Sequence, residues 1–397
     1  MTSRLLSLAA LALLATACTE KLTSPADCPN LCPGGSADFR DTILTADVGL
    51  DSSYSGYVGE SSLLSLLVAN GGAYGNSRGV VSFQGRGDSI FVKDTARAFT
   101  VDSAAISLYL QASDTNVVAG AVELYRLPLS IDSLSSVGAV DAAMTPDQLL
   151  AEFPLNAGLR SGALRIVFSG ATLSKLNFTP ADSGRLSVGV RVRSTNPTGI
   201  RVGAAASGNQ GPVVTWYSRV DIADTTLRSQ IFTRLPGANF TVRSGTTTPT
   251  PGLLAVGGYP VSRSFLRFTL PPALRDSVTI IRATLQLTMD QPTFGIPADT
   301  TTILARPVLA LLGPKSPVSA DLFDSAFLLT GQTGLTIEVA GLVRLWQGKD
   351  ALPSVLRLEL GQEGATYLAP LFRSSRSATG APTLRITYRR SFAFEGF

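Results

Sequence analysis

The chain has 397 residues, 45% of them hydrophobic and only 16% charged, with a formal net charge of +4. It contains no histidine, which excludes Ser-His-Asp and Cys-His catalysis and every histidine-ligated metal centre. Its 33 basic residues are dispersed rather than gathered into a run, which argues against nucleic acid as a partner.

Residues 1–17 open with Met-Thr-Ser-Arg4 and continue as an almost wholly apolar stretch from Leu5 to Ala17. That stretch is shorter than the roughly 20 apolar residues a spanning helix needs, and it reads as an export signal. Its end, Leu14-Ala-Thr-Ala-Cys18, resembles the lipobox of bacterial lipoproteins. The resemblance implies cleavage before Cys18 and lipid attachment to it, the alternative being an ordinary signal peptide with an incidental cysteine. Thr19 stands where an inner-membrane retention aspartate often follows the lipid. The expected location is therefore exported and lipid-anchored, at the outer membrane or cell surface.

Residues 18–40 are rich in Thr, Ser, Pro, Gly and Asp and predict a flexible tether. Cys28 and Cys32 lie within it. In an oxidising compartment they either close a small disulfide loop or remain free or intermolecular thiols. A structural metal needs about four ligands, and no others are nearby.

From residue 41 the chain becomes a series of short strands between turn signals. A first domain, 41–220, has strands expected at 41–46, 63–68, 78–83, 103–110, 121–127, 164–168, 185–193, 200–204 and 213–217. Residues 51–60 read as a Ser/Gly/Tyr-rich connection. Thr145-Pro-Asp-Gln148 has capping-box spacing and predicts a short helix over 146–153. A second domain, 221–397, has strands expected at 229–234, 240–243, 253–256, 264–270, 281–289, 303–311, 335–339, 355–360 and 384–388. Short helical pieces are expected at 319–323 and 341–346. Leu186, Val188, Val190 and Val192 alternate with Ser, Gly and Arg, which marks a half-buried strand. The fold class is thus all-β, two tandem antiparallel β-sandwich domains with a few short helices.

The halves align with each other. Residues 185–190 fall on 355–360 at a shift of 170 (355 − 185), and Pro212 falls on Pro382 at the same shift. Leu164-Arg-Ile166 falls on Leu335-Thr-Ile337 at 171 (335 − 164).

Four motifs carry a family resemblance: Arg263-Ser-Phe-Leu-Arg-Phe268, Ile280-Ile-Arg-Ala-Thr-Leu-Gln-Leu287, Val343 with Trp346 and Gly348, and Pro382-Thr-Leu-Arg-Ile-Thr-Tyr388. Together they resemble the DNRLRE-type jelly-roll domains of bacterial surface proteins, some of whose relatives are carbohydrate-binding modules. The resemblance covers about 221–390 and, more faintly, 41–218. The first copy departs from it, with Ser174 or Lys175 where the second has Trp346, and the Asn-Arg-Leu-Arg signature is absent. The resemblance implies a jelly roll and a carbohydrate ligand, without assigning binding residues.

Tyr54, Tyr57 and Tyr74 sit in Gly/Ser-rich surroundings and are candidates for stacking on a sugar face. Arg373 and Arg376, with Arg385, Arg389 and Arg390, are candidates for carboxylate or sulfate recognition. Trp346 is expected as a buried wedge rather than a sugar platform, and Trp216 in a core or at a domain interface. The carboxylates form no glycosidase pair, EF-hand or other metal motif, and no glycine-rich stretch has a phosphate-loop setting. No catalytic residue, metal or cofactor is therefore predicted. Phe392, Phe394 and Phe397 make an apolar tail suited to a sheet edge.

The expected function is non-catalytic binding of extracellular or cell-wall polysaccharide by a lipid-anchored envelope protein. The alternative is a structural or adhesive surface protein acting through protein contacts. Partners are then the membrane, through the lipid, and either polysaccharide or other surface proteins.

Overall fold

A computed structural model describes residues 39–390 apart from 58–63, 93, 156–159, 177–181, 183, 221–228, 245–250, 298 and 349. The expectations on Cys18, Cys28, Cys32 and the phenylalanine tail lie outside these residues. Strand makes up about 52% of the described residues and helix, 3-10 turns included, about 12%, which places the fold in the all-β class.

In chain order the strands begin with β1 (Arg40–Thr45), β2 (Ser52–Tyr57), β3 (Ser65–Asn70) and β4 (Asn76–Phe83). A hairpin, β5 (Ser89–Val92) and β6 (Thr95–Ala98), precedes β7 (Thr100–Ser113) and β8 (Gly120–Leu127). Next are β9 (Leu149–Leu155), β10 (Gly162–Ser169), β11 (Leu186–Arg193), β12 (Thr198–Gly203) and β13 (Val213–Arg219). The middle of the chain supplies β14 (Ser229–Arg234), β15 (Pro236–Arg243), β16 (Leu253–Ala255) and β17 (Val261–Arg267). The remainder are β18 (Val278–Thr288), β19 (Thr300–Pro307), β20 (Asp324–Leu329), β21 (Gly334–Glu338), β22 (Val355–Leu360), β23 (Leu371–Arg373) and β24 (Thr383–Arg390). Among the described residues two short α-helices form, α1 (Val137–Ala143) and α2 (Ala340–Arg344).

These strands build two sandwiches with the same strand order. In the second, one layer runs β1-β24-β18-β21 and the other β2-β17-β22-β19-β20, with β16-β23 as a separate pair. In the first, β14-β13-β7-β10 corresponds to one layer and β15-β4-β11-β8-β9 to the other. Here the pair β12-β3 joins both layers into one 11-stranded sheet. Long β7 makes this possible: along one edge its N-terminal half pairs with β13 and its C-terminal end with β12, across a register shift. Each pair of layers closes on a core. The first contains Phe83, Ile106, Leu124, Phe168 and Trp216; the second contains Phe268, Leu285, Trp346, Leu358 and Phe372. Alternation accounts for the inward faces: Leu186, Val188, Val190 and Val192 of β11 all reach the core. Both tryptophans are core residues, as expected.

Strand pairing crosses the boundary expected near residue 220, and does so in both directions. β1 pairs with β24, and β2 pairs with β17, so residues 40–57 complete the second sandwich. β14 pairs with β13, and β15 with β4, so residues 229–243 complete the first. β15 lies along β4 where that strand diverges from β3 beyond their short hairpin ladder.

The helical turn expected at 341–346 forms as α2, and the other helices differ from expectation. Only Pro146–Gln148 turns, as a single 3-10 turn without a Thr145 side-chain cap, and Leu149–Leu155 is strand β9. The edge of β8 offers that segment a ladder, and Leu150 and Leu155 then fill the core. The unpredicted helix is α1, capped by the Ser136 hydroxyl, which accepts from Ala139 N at 3.1 Å. No helix forms at 319–323. There the Arg306 guanidinium takes the carbonyls of Ser319 and Ala320 at 2.9 and 2.6 Å.

Gly257, just before β17, has φ of +75°, and a Cβ there would lie 2.1 Å from Leu360 Cδ1 in the core. Gly257→Ala combines a left-handed backbone, about 1–2 kcal/mol, with overpacking, about 1–3 kcal/mol. It is expected to lower the urea midpoint of the second sandwich, read by Trp346 fluorescence, while the first unfolds as before.

Candidate functional site

Of the three candidate tyrosines, two lie on a strand rather than in a loop. Tyr54 and Tyr57 belong to β2. The Tyr54 ring meets Phe265 edge-on at 5.7 Å. Tyr57 lies under the Arg263 guanidinium at 4.4 Å and donates its hydroxyl to Pro314 O at 2.7 Å. Burial raises the Tyr57 phenol above its ordinary range. Arg263 is itself held by Glu363 through two bonds of 2.9 and 2.7 Å. Both tyrosines are thus committed to packing on the outer face of the second sandwich.

Two of the arginine candidates, Arg373 and Arg385, have side-chain partners nearby. Arg373 donates to the carbonyl and hydroxyl of Thr379 at 3.2 and 2.9 Å. Arg376 is exposed at a turn where its backbone N–H donates to Ser374 Oγ at 3.2 Å. Arg385 pairs with Asp41 of β1. The Arg373 and Arg385 contacts brace a turn and a strand pair.

Tyr74 has a different setting. It ends a short 3-10 turn, Gly72–Tyr74, and its side chain is buried between the two sandwiches. Its ring packs against Phe294 at 4.5 Å and Tyr367 at 4.9 Å. Close approach to β12 requires glycine beneath it: a Cβ on Gly199 would lie 2.7 Å from the Tyr74 ring. Burial, reinforced by the Asp114 carboxylate, holds the Tyr74 phenol far above its ordinary range. Leu67 and Ala69 point the same way from β3 and meet Ile296 and Tyr367 of the second sandwich. This second apolar contact explains why β3 is buried on both faces.

The interface also contains charge. Arg201 of β12 reaches Asp299 at 2.8 Å, and the Asp299 side chain is wholly buried. The Thr366 hydroxyl donates to its other oxygen at 3.1 Å. Arg243, on β15, donates to Tyr74 O at 3.1 Å and lies over the rings of Tyr367 and Tyr259 at 5.6 and 5.9 Å. Desolvation lowers the Arg243 pKa from its ordinary value.

Beside this packed interface a groove of about 440 Å3 opens between the sandwiches. Its chemistry comes from Tyr74, Asp114, Asn116 and Asn196 on the first sandwich and Phe294 on the second. Phe294 is 42% exposed and offers an apolar ring face at the rim. Asp114 is buried, with Oδ1 accepting from Asn116 N at 3.2 Å. Asn196 donates to Asn116 O at 3.3 Å, which ties the two amide-bearing loops together. Exposed amides donate and accept, a carboxylate accepts, and an aromatic face takes C–H groups. That set suits a hydroxyl-rich ligand with an apolar side. A second groove, of about 420 Å3 beside α1, has Arg126 and Asp182 already paired at 3.7 Å.

Among the candidate residues only Tyr74 lies at this groove. Asp114, Asn116, Asn196 and Phe294 were not singled out, because each reads locally as an ordinary turn residue. Their convergence depends on the two sandwiches docking.

Among the described residues, no helix is long and apolar enough to cross a membrane, and no group of His, Cys, Asp and Glu is arranged to hold a metal. No protein-family model matches the chain, and no curated protein matches it. Among solved structures, one described as BspA_C_mut aligns at 9% identity over 89% of this chain and 90% of its own, with a TM-score of 0.17. The C-terminal domain of the Streptococcus pyogenes antigen I/II-family protein AspA aligns at 9% identity over 89% and 92%, with a TM-score of 0.14. At such TM-scores neither likeness bears on fold or function.

Proposed function

We propose that this chain is a lipid-anchored cell-envelope protein that binds extracellular or cell-wall polysaccharide without catalysis, in the groove between its sandwiches. One observation carries the reading: the half-exposed Phe294 ring, packed on buried Tyr74, lines one groove together with the Asp114 carboxylate and the exposed Asn116 and Asn196. Clefts at domain junctions with an apolar wall and few polar groups are the usual form of a ligand site. Asp114 is the one carboxylate among the described lining residues, whereas glycoside hydrolysis uses two, some 5–10 Å apart. The lipid anchor and surface location rest on the Leu14–Cys18 motif.

The test is calorimetric titration of the lipid-free chain, from Thr19 onward, against neutral and acidic polysaccharides at low and moderate salt. Saturable binding to a neutral class, little changed by salt, is expected. Phe294→Ala removes one stacking face, about 1–1.5 kcal/mol, so affinity is expected to fall about tenfold. Binding that ignores both Phe294→Ala and Asn196→Ala, or no binding to any polymer, overturns the groove reading.

A specific observation supports the alternative, an adhesive protein acting through protein contacts. β20 is the last strand of its sheet and exposes Phe327 at 74% and Leu329 at 48% on one side. Exposed apolar edge strands pair readily with other chains.

A further inference from the structure

Each sandwich is completed by a two-strand arm, and the arms occupy equivalent places. β1 and β14 edge one layer, beside β24 and β13; β2 and β15 edge the other, beside β17 and β4. Along the chain the order is arm, body, arm, body. A tandem repeat in which each arm joined the body that follows it would put residues 40–57 on the first sandwich. They are on the second, and residues 229–243 are on the first. The leading arm therefore docks on strands far away in sequence: 209 residues separate the starts of β2 and β17 (261 − 52), and 343 those of β1 and β24 (383 − 40). Nothing in that contact requires arm and acceptor to belong to one chain.

The two arms are held differently. Residues 229–243 bring buried Val242 and the partly buried rings of Phe232 and Phe240 to apolar clusters of the first sandwich. The leading arm has no fully buried side chain on β1 or β2. Besides Ala46, Leu44 and Tyr54, its attachment is polar. Asp41 accepts from Thr387 and Arg385, and Asp47 from the backbone and hydroxyl of Thr269 at 3.1 and 2.9 Å. Asp51 accepts from Ser375 N at 2.6 Å. Ser53 meets Ser264, and Ser55 meets Ser262, each at 2.6 Å across the ladder. Such an attachment is a backbone ladder read out by small polar side chains. It buries little apolar area, so withdrawing it costs less than withdrawing the other arm, and an identical strand pair from elsewhere re-forms it bond for bond.

We propose that residues 40–57 exchange between molecules, the arm of one copy completing the second sandwich of another copy. The partner is this same chain, and the contact is a strand exchange rather than a new surface. Copies held on one surface would meet at high effective concentration, which favours the exchanged form. The proposal does not depend on the polysaccharide groove.

The experiment uses full chains with Cys18, Cys28 and Cys32 replaced by serine. Ser53→Cys is placed in one preparation and Ser264→Cys in another, because these hydroxyls converge across a register pair. The two are mixed at rising concentration, either directly or after co-refolding from urea, then oxidised. A covalent dimer joining the two variants is expected, its share rising with concentration and absent when either variant is mixed with the cysteine-free chain. The control is one chain carrying both substitutions, which closes its own disulfide if the arm docks as described. Complete closure in that control together with no mixed dimer, even after co-refolding, overturns the proposal.

Discussion

A fragment of residues 64–244 is expected to fold alone, whereas one of residues 41–220 is not. The longer-reaching fragment keeps β14 and β15, which pair along β13 and β4. The fragment ending at 220 leaves both edges open and loses Phe232, Phe240 and Val242 from the first sandwich. Fully burying a large apolar side chain contributes about 1.5–3 kcal/mol; Val242 is buried and Phe232 and Phe240 partly so, which together with two unpaired edges is a large share of a domain's stability of about 5–15 kcal/mol. Residues 41–57 do not compensate, because their place is on β24 and β17. Urea unfolding followed by Trp216 fluorescence is the measurement, since that ring is buried in the first core directly opposite Phe232 of β14. A cooperative transition in the 41–220 fragment matching that of 64–244 would contradict the pairing.

Arg201→Met is expected to cost about 3–5 kcal/mol, the usual result of stranding a buried charge. It leaves Asp299 wholly buried between the sandwiches with only the Thr366 hydroxyl as side-chain partner. Asp299→Asn in the same chain is expected to recover most of the loss, because the remaining group is neutral. The pH dependence has a definite sign. Burial, partly offset by Arg201 and Thr366, already raises the Asp299 carboxyl above its ordinary range. A carboxyl raised on folding destabilises the native state progressively from its unfolded pKa, about 3.9, up to its folded pKa, and fully above it. Removing Arg201 raises the folded value further. The Arg201→Met penalty is therefore largest at neutral pH and shrinks as the pH falls towards about 4. Unfolding of both variants at pH 7 and at acid pH, read at Trp216 and Trp346, tests this.

The candidate site was scarcely legible in the sequence. Tyr74 was recognisable as an aromatic beside a turn, and its burial was not. The groove residues Asp114, Asn116, Asn196 and Phe294 come from four separated connections, and no spacing links them. Tyr54 and Tyr57 misled because Ser-Ser-Tyr-Ser-Gly-Tyr has the composition of a loop. It forms a strand because the edge of β17 supplies the hydrogen bonds and serines on both sides match.

The all-β class, most strand positions, the inward faces and the burial of both tryptophans follow from residue order, since a two-residue alternation is a local property of the chain. So does the duplication, visible as a shift of 170 between β11 and β22 and matched by identical strand order. Which edge each arm joins does not follow. Backbone N–H and C=O groups are the same in every strand, so a free edge accepts any extended segment that reaches it with compatible side chains. Residues 40–57 pair with β24 and β17 and residues 229–243 with β13 and β4, a choice set by side-chain matches between strands far apart in sequence, such as Ser53 with Ser264 and Ser55 with Ser262.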